Sequence, residues 1–387
     1  MHDPYTGPKL LLLTCTWVLG DANEEDSGFL ARIRSFDMAS NLTSDVGNYS
    51  SGRRQMESEF TVNVSGIGEE YQDTAERDIR LLVSIAAGVA DRSGLPFLLH
   101  EIRLTTQMQE DANEMYRQRR DETGEYTALR DDVLAYGKTI WSCSADGELA
   151  FVVLIDSSIV RPWNLNNPWF LVIVLHELGH VIYETQELKR LGYERYVTPE
   201  YTRERILESM ARTVIDEYRV DRFVDWVVKT FCTNDTGNPL SLREIEEDIK
   251  EIDWAGSLRS ALERMPQRID DVVCRYKTRQ IEMHELLAKV PSNVKDILVL
   301  FSHTCALYLG TDSWPDTIES FKRTEASRRF LGGHMEVIAE ALMNDELTIE
   351  DTLQVVTKAI ENIFRSCGLT FENTSEGLYA AVDWPTK

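Results

Sequence analysis

NPWFLVIVLHELGHVIYE, residues Asn167–Glu184, is the stretch from which the rest of the chain is read. Asn167 suits a helix N-cap, and Pro168 suits the first helical position, where its missing N–H is no loss. From Trp169 to Leu175 no side chain is polar, and a helix that is apolar nearly all round is a buried one. Inside it HELGH, His176–His180, matches H-E-x-x-H. On a helix the two His stand at i and i+4 on one face, where both imidazoles can reach one metal ion. Glu177 lies on the flank of that face, placed to take a proton from a metal-bound water. Two His and a Glu on a buried helix need a reason to be there, and a metal is the most economical one.

A zinc site that does chemistry generally has three protein ligands and one open position. Glu184 is eight residues from His176, about 12 Å along the helix axis, too far for one ion to bridge. A second helix is expected over Arg203–Thr230, with the apolar stripe Ile206, Met210, Val214, Val224 and Val228. Glu217 and Asp221 fall on that stripe, where a carboxylate is costly unless something positive meets it. Glu217 is therefore the expected third ligand. Asp221 lies one turn on, about 6 Å along the axis, beyond coordination but able to accept the outer N–H of a ligand imidazole. A buried salt bridge to an Arg would also account for these two carboxylates.

HELGH followed by Glu217-Tyr218-Arg219-Val220-Asp221-Arg222-Phe223 resembles the Glu-zincin metallopeptidases, nearest to the ImmA/IrrE-type and HtpX-type peptidases. The resemblance spans roughly residues 69–230, and only those two segments carry it. It implies a zincin-like catalytic domain, with zinc bound by His176, His180 and Glu217, Glu177 as general base and Asp221 behind the ligands. Val220 departs from the usual Ala, and Asp225 from a small residue. No membrane span of the HtpX type and no helix-turn-helix of the ImmA/IrrE type is identified.

The fold class expected is α+β. A small mixed sheet and the buried H-E-x-x-H helix form a catalytic domain at 66–232, and a mainly helical domain follows at 240–387. Residues 1–65 are an N-terminal segment of uncertain role. In it Lys9–Leu19 and Glu59–Val64 read as strands, around a polar loop at Asp21–Ser58. Glu69–Ser93 has helical apolar spacing and stops at Ser93-Gly94. Phe97–Thr105 reads as a strand and Gln107–Arg120 as a helix with a turn at Gly124. Thr139–Cys143 and Leu149–Asp156 read as a hairpin about Ala145–Glu148. Arg161–Asn167 leads into the metal helix, and a charged connection, Thr185–Thr202, follows it. After a linker at Thr233–Pro239, helices are expected at Leu242–Ile252, Ser257–Val290, Val294–Leu309, Asp316–Leu331, Met335–Asn344 and Ile349–Cys367. Their breaks are set at Pro291, Gly310 and Gly332-Gly333, and Gly377–Trp384 reads as a closing strand.

The chain has 387 residues, 43% hydrophobic and 27% charged, the composition of a globular protein with a sizeable core. A net charge of −24 argues against nucleic acid or anionic membrane as a main partner, and no run is long and apolar enough to span a bilayer. Six Cys are widely spread without a C-x-x-C pair, which reads as free thiols in a reducing, cytoplasmic compartment. Against that stand N-x-S/T sequons at Asn41, Asn48, Asn63, Asn234 and Asn373, and a short apolar run at Leu10–Leu19, which keep secretion open.

The function expected is hydrolysis of a peptide or protein substrate with Zn2+ as cofactor. Tyr183 stands on the correct side of the helix to stabilise an oxyanion, and equally suits the core. His303 and His334 are further candidates to swing over the site. The alternative is a zincin-fold regulatory or binding module with little turnover, against which the intact Glu177 argues. A third reading places the working part in the helical C-terminal region. The regulator is unknown.

Overall fold

The computed structural model describes residues 60–118, 129–130, 133–134, 136–143, 148–159, 168–193, 196, 202–232, 238–249, 253–375 and 377–382. The expected strand at Lys9–Leu19, the loop at Asp21–Ser58, the cap Asn167, and the turns at Gly124 and Ala145–Gly147 lie outside them. Contacts divide the described residues into two compact units, 60–192 with 223–252, and 193–222 with 253–387.

The first unit is built on a four-stranded mixed sheet in the order β1-β2-β6-β5. β1 (Thr61–Val64), β2 (Leu99–Thr105) and β6 (Leu149–Asp156) run parallel, and β5 (Gly137–Cys143) lies antiparallel to β6 at one edge. A separate two-stranded ladder pairs β3 (Leu129–Arg130) with β4 (Val133–Leu134). Side chains alternate across the sheet. Ile140, Val152 and Leu154 meet Met108, Ala112, Met115 and Tyr116 of α2 (Met108–Gln118) in one buried cluster. The opposite face, with Val153, Ile155 and Ile102, is also buried. Against the sheet packs α3 (Pro168–Leu191), and α1 (Glu69–Arg92) packs on α3. α1 ends as its sequence promises. Gly94 takes φ +63, Leu95 N–H reaches Ala90 O at 3.0 Å, and Gly94 N–H reaches Asp91 O at 2.9 Å, a Schellman cap.

α3 begins at the expected Pro168 but runs to Leu191, two turns into the expected charged connection. Gln186, Glu187, Leu188, Lys189 and Arg190 are good helix formers, and Arg190 pairs with Glu187 on the helix surface. Gly192, at φ +79, then closes it with its N–H on Leu188 O.

α4 (Arg203–Phe231) gives residues to both units, and α5 (Leu242–Ile249) follows it. The second unit is mainly helical. It holds α6 (Trp254–Lys277), α7 (Met283–Tyr308), α8 (Trp314–Lys322), a π-turn at Ser327–Leu331, α9 (His334–Met343) and α10 (Ile349–Ser366). A hairpin of β7 (Leu369–Thr374) and β8 (Gly377–Val382) closes it, and β7 had no counterpart in the sequence reading. The boundary expected at Pro291 is also corrected. Pro291 lies inside α7, whose apolar face (Leu286, Val290, Val294, Ile297) is buried on both sides of it, so burial outweighs the lost hydrogen bond. The break falls at 278–282 instead. Arg279 takes φ +57 there, with Gln280 N–H on Arg275 O and Arg279 N–H on Tyr276 O. This is the same Schellman cap as at Gly94, with an Arg where Gly is usual. The helix expected at Asp316–Leu331 is interrupted too, where the Thr324 hydroxyl bonds Phe321 O and accepts from Ser327 N–H.

Two sequon asparagines fall in the described residues. Asn63 donates to Glu101 at 2.6 Å, and Asn373 donates to Glu204 at 2.6 Å while accepting Arg203 N–H at the start of α4. Cys232, Cys274, Cys305 and Cys367 are free thiols, and burial pushes those of Cys232 and Cys367 up to about 12. No helix of the described residues is long and apolar enough to cross a membrane.

Glu361 is the hub of the second unit, 8% exposed and bonded to Arg203, Lys358 and Arg365. Burial alone would raise its pKa, but the bonds from Lys358 and Arg203 and the charge of Arg365 outweigh this and hold the carboxyl below its ordinary value. A carboxyl depressed on folding stabilises fully above its unfolded pKa and loses that contribution as pH falls through the folded one. Urea unfolding of Glu361→Gln is therefore expected to show a clear loss of stability at pH 7. That loss shrinks as pH drops below the normal carboxylate range.

Candidate metal centre

α3 supplies His176, Glu177 and His180 from little more than one turn of one helix. The helix is apolar around them, with Phe170 to Leu175, Leu178, Val181 and Ile182 all buried. His176 and Glu177 are fully buried and His180 partly so. The two imidazoles meet edge to face, with Nε2 atoms 3.1 Å apart. Two nitrogens on a tetrahedral zinc at its usual bond lengths stand about 3.3 Å apart, so the pair is spaced for a shared ion.

Glu217 comes from the middle of α4 and is 2% exposed. One ligand atom from each of His176, His180 and Glu217 lies within 4.8 Å of the other two. This group of two nitrogens and one carboxylate oxygen could hold a metal ion, and its donor chemistry suits zinc and neighbouring first-row ions. Glu184, half-buried further along α3, is not in the group.

Glu177 points its side chain at β5. The Thr139 hydroxyl lies 2.8 Å from Glu177 Oε2 and 3.0 Å from the Glu177 carbonyl. The other carboxylate oxygen, Oε1, is buried without a hydrogen-bond partner. A carboxylate held by one oxygen and bare at the other, on the helix that carries two ligand candidates, fits a site made to receive something polar.

Asp221 is 1% exposed, one turn beyond Glu217. Its Oδ2 stands 2.6 Å from Nδ1 of His303 on α7. His303 is itself fully buried and stacked on Trp254, with ring centroids 4.2 Å apart, and its Nε2 lies 3.8 Å from Glu217 Oε2. His303 is thus bonded to Asp221 through Nδ1 and held in place rather than free to swing over the site, while its Nε2 stands beyond hydrogen-bond distance of Glu217. His334 begins α9 and is not in the metal group. Tyr183 is partly buried on α3, three residues past His180.

Asp225, which departs from the small residue of the family pattern, is a third buried carboxylate on α4, 6% exposed. Its oxygens accept Leu242 N–H at the start of α5 and the Lys229 ammonium, at 3.0 and 2.7 Å. That is a structural cap. Thr139 and Gly137, which shape the surroundings of Glu177, were missed. The signal was faint: a glycine and a hydroxyl two residues apart at a strand start, hence on one face.

No family model matches the chain, and neither a curated protein nor a solved structure matches it.

Zinc titration of metal-free protein checks the ligand set. His176→Ala and Glu217→Ala are expected to lose stoichiometric zinc, while Glu184→Gln binds as wild type. If Asp221 orients a ligand imidazole, as expected from the sequence, Asp221→Asn weakens zinc by roughly 10–100-fold, and an affinity equal to wild type leaves Asp221 only its bond to His303. Equal affinities for wild type and Glu217→Ala would remove Glu217 from the set.

Proposed function

We propose that the chain is a zinc-dependent peptidase. The observation that carries this reading is the pairing of a grouped His176, His180 and Glu217 with a buried Glu177 whose Oε1 has no partner. Zinc held by these three side chains would polarise a scissile carbonyl and lower the pKa of a nearby water toward neutrality. Glu177 is the general base. Its Oε1 takes the proton of the attacking water and then returns it to the leaving amine. His303 and Asp221 do not touch the reacting atoms. Asp221 holds the His303 ring, whose Nε2 stands 3.8 Å from Glu217.

The sheet supports an extended substrate. β5 is an edge strand of its sheet, and it carries the Thr139 that touches Glu177. A peptide can add to such an edge through main-chain hydrogen bonds, which brings its carbonyls alongside Glu177 without demanding one sequence. Tyr183 is the candidate to stabilise the oxyanion, by its position after His180.

Glu177→Gln keeps the shape of the side chain and removes its basicity. Its cleavage of a mixed peptide library should fall at least about 100-fold, the lower end of what a general base contributes. Zinc content, measured on the same samples, should equal that of wild type. A variant that still cleaves excludes Glu177 as the base. A wild type that binds one zinc and cleaves nothing favours a binding module instead.

A further inference from the structure

We infer that the edge strand β5 positions the Glu177 carboxylate through two residues, Gly137 by the side chain it lacks and Thr139 by its hydroxyl. For the role this gives Glu177 in proton transfer, the inference rests on the peptidase reading. The positioning itself does not.

Gly137 pairs with Ile155 in the ladder, as an ordinary strand residue. It is not among the glycines with positive φ, so backbone conformation does not require it. What requires it is Glu177. A Cβ built on Gly137 would stand 2.6 Å from both Cγ and Oε1 of Glu177 and 2.9 Å from Cδ. Real Cβ atoms do not come so close to their neighbours. A long side chain could swing away from such a contact at the surface. Glu177 cannot do so freely, because it is fully buried and its Oε2 is tied to Thr139. The carboxylate therefore lies in the space that a side chain at Gly137 would fill.

Thr139 shares that face of β5, two residues along. Its hydroxyl proton can go to Oε2 or to the Glu177 carbonyl, and both acceptors lie within 3.0 Å. Given to Oε2 the proton pins the carboxylate to the strand, and given to the carbonyl it pins the helix turn that carries it. Of the two carboxylate oxygens one is occupied and one is not, so the pin also selects which oxygen is left for chemistry. A threonine suits this better than a longer polar residue, because its branched Cβ leaves the hydroxyl little rotational freedom.

A double-mutant cycle on unfolding tests the positioning without any need for turnover. Gly137→Ala in the wild-type background should lower the folding equilibrium constant roughly 5–150-fold, the cost of overpacking. In a Glu177→Ala background the new methyl group has room, and the same substitution should cost less than about threefold, within the spread of independent sites. Equal costs in the two backgrounds would overturn the inference. The second arm uses variants that keep the packing. Thr139→Val, which deletes the hydroxyl, should lower kcat with KM and zinc content unchanged, and Thr139→Ser should restore it. Thr139→Val with full kcat overturns the part assigned to Thr139. If wild type cleaves no peptide, the peptidase reading fails while the unfolding cycle still decides the positioning. If wild type cleaves and the cycle is additive, the positioning fails alone.

Discussion

His176, Glu177, Glu217 and Asp221 sit where water does not reach. A charged group there costs several kcal/mol unless something in the protein or bound to it compensates. Much of the surrounding structure can be read as that compensation. Thr139 takes one oxygen of Glu177, His303 takes one of Asp221, and His176 and His180 bring their Nε2 atoms to 3.1 Å. The stack of His303 on Trp254 belongs to the same economy, since it fixes the imidazole that bonds Asp221.

Asp225 shows that burial of a carboxylate is not by itself a sign of chemistry. It lies on the same helix as Glu217 and is nearly as buried, yet both its oxygens are taken by a backbone N–H and a lysine of the scaffold. Glu177 differs in having an oxygen with no partner. The useful distinction among buried acids here is therefore saturation, and sequence alone does not reveal it.

The parts of the fold that were legible are those where one local signal settles the matter. Pro168 and the apolar run after it start α3, Gly94 stops α1, and the break in the apolar stripe of α4 picked out Glu217 and Asp221. The α+β class and the small mixed sheet followed from the same signals. The parts that were not legible are those where a local preference lost to packing. Arg279 does a glycine's work at the end of α6, so nothing in the sequence marks the stop. Pro291 marks a stop that does not occur. Thr139 and Gly137 reach Glu177 across 38 and 40 residues of chain, a distance no window of periodicity can see.

Under the proposed peptidase reading, the position of β5 at the rim of its sheet has a consequence for what kind of sequence the protein would prefer. A strand laid beside it takes up the pleat, so its side chains alternate between the face of Gly137 and Thr139 and the face of Ile140. Selectivity would then be read two residues at a time. One set of alternate side chains would meet the surroundings of Glu177 and the other the side covered by α2, while the main chain between them would be gripped regardless of sequence. A recognition pattern built this way would have a spacing of two, with tolerance at the positions in between.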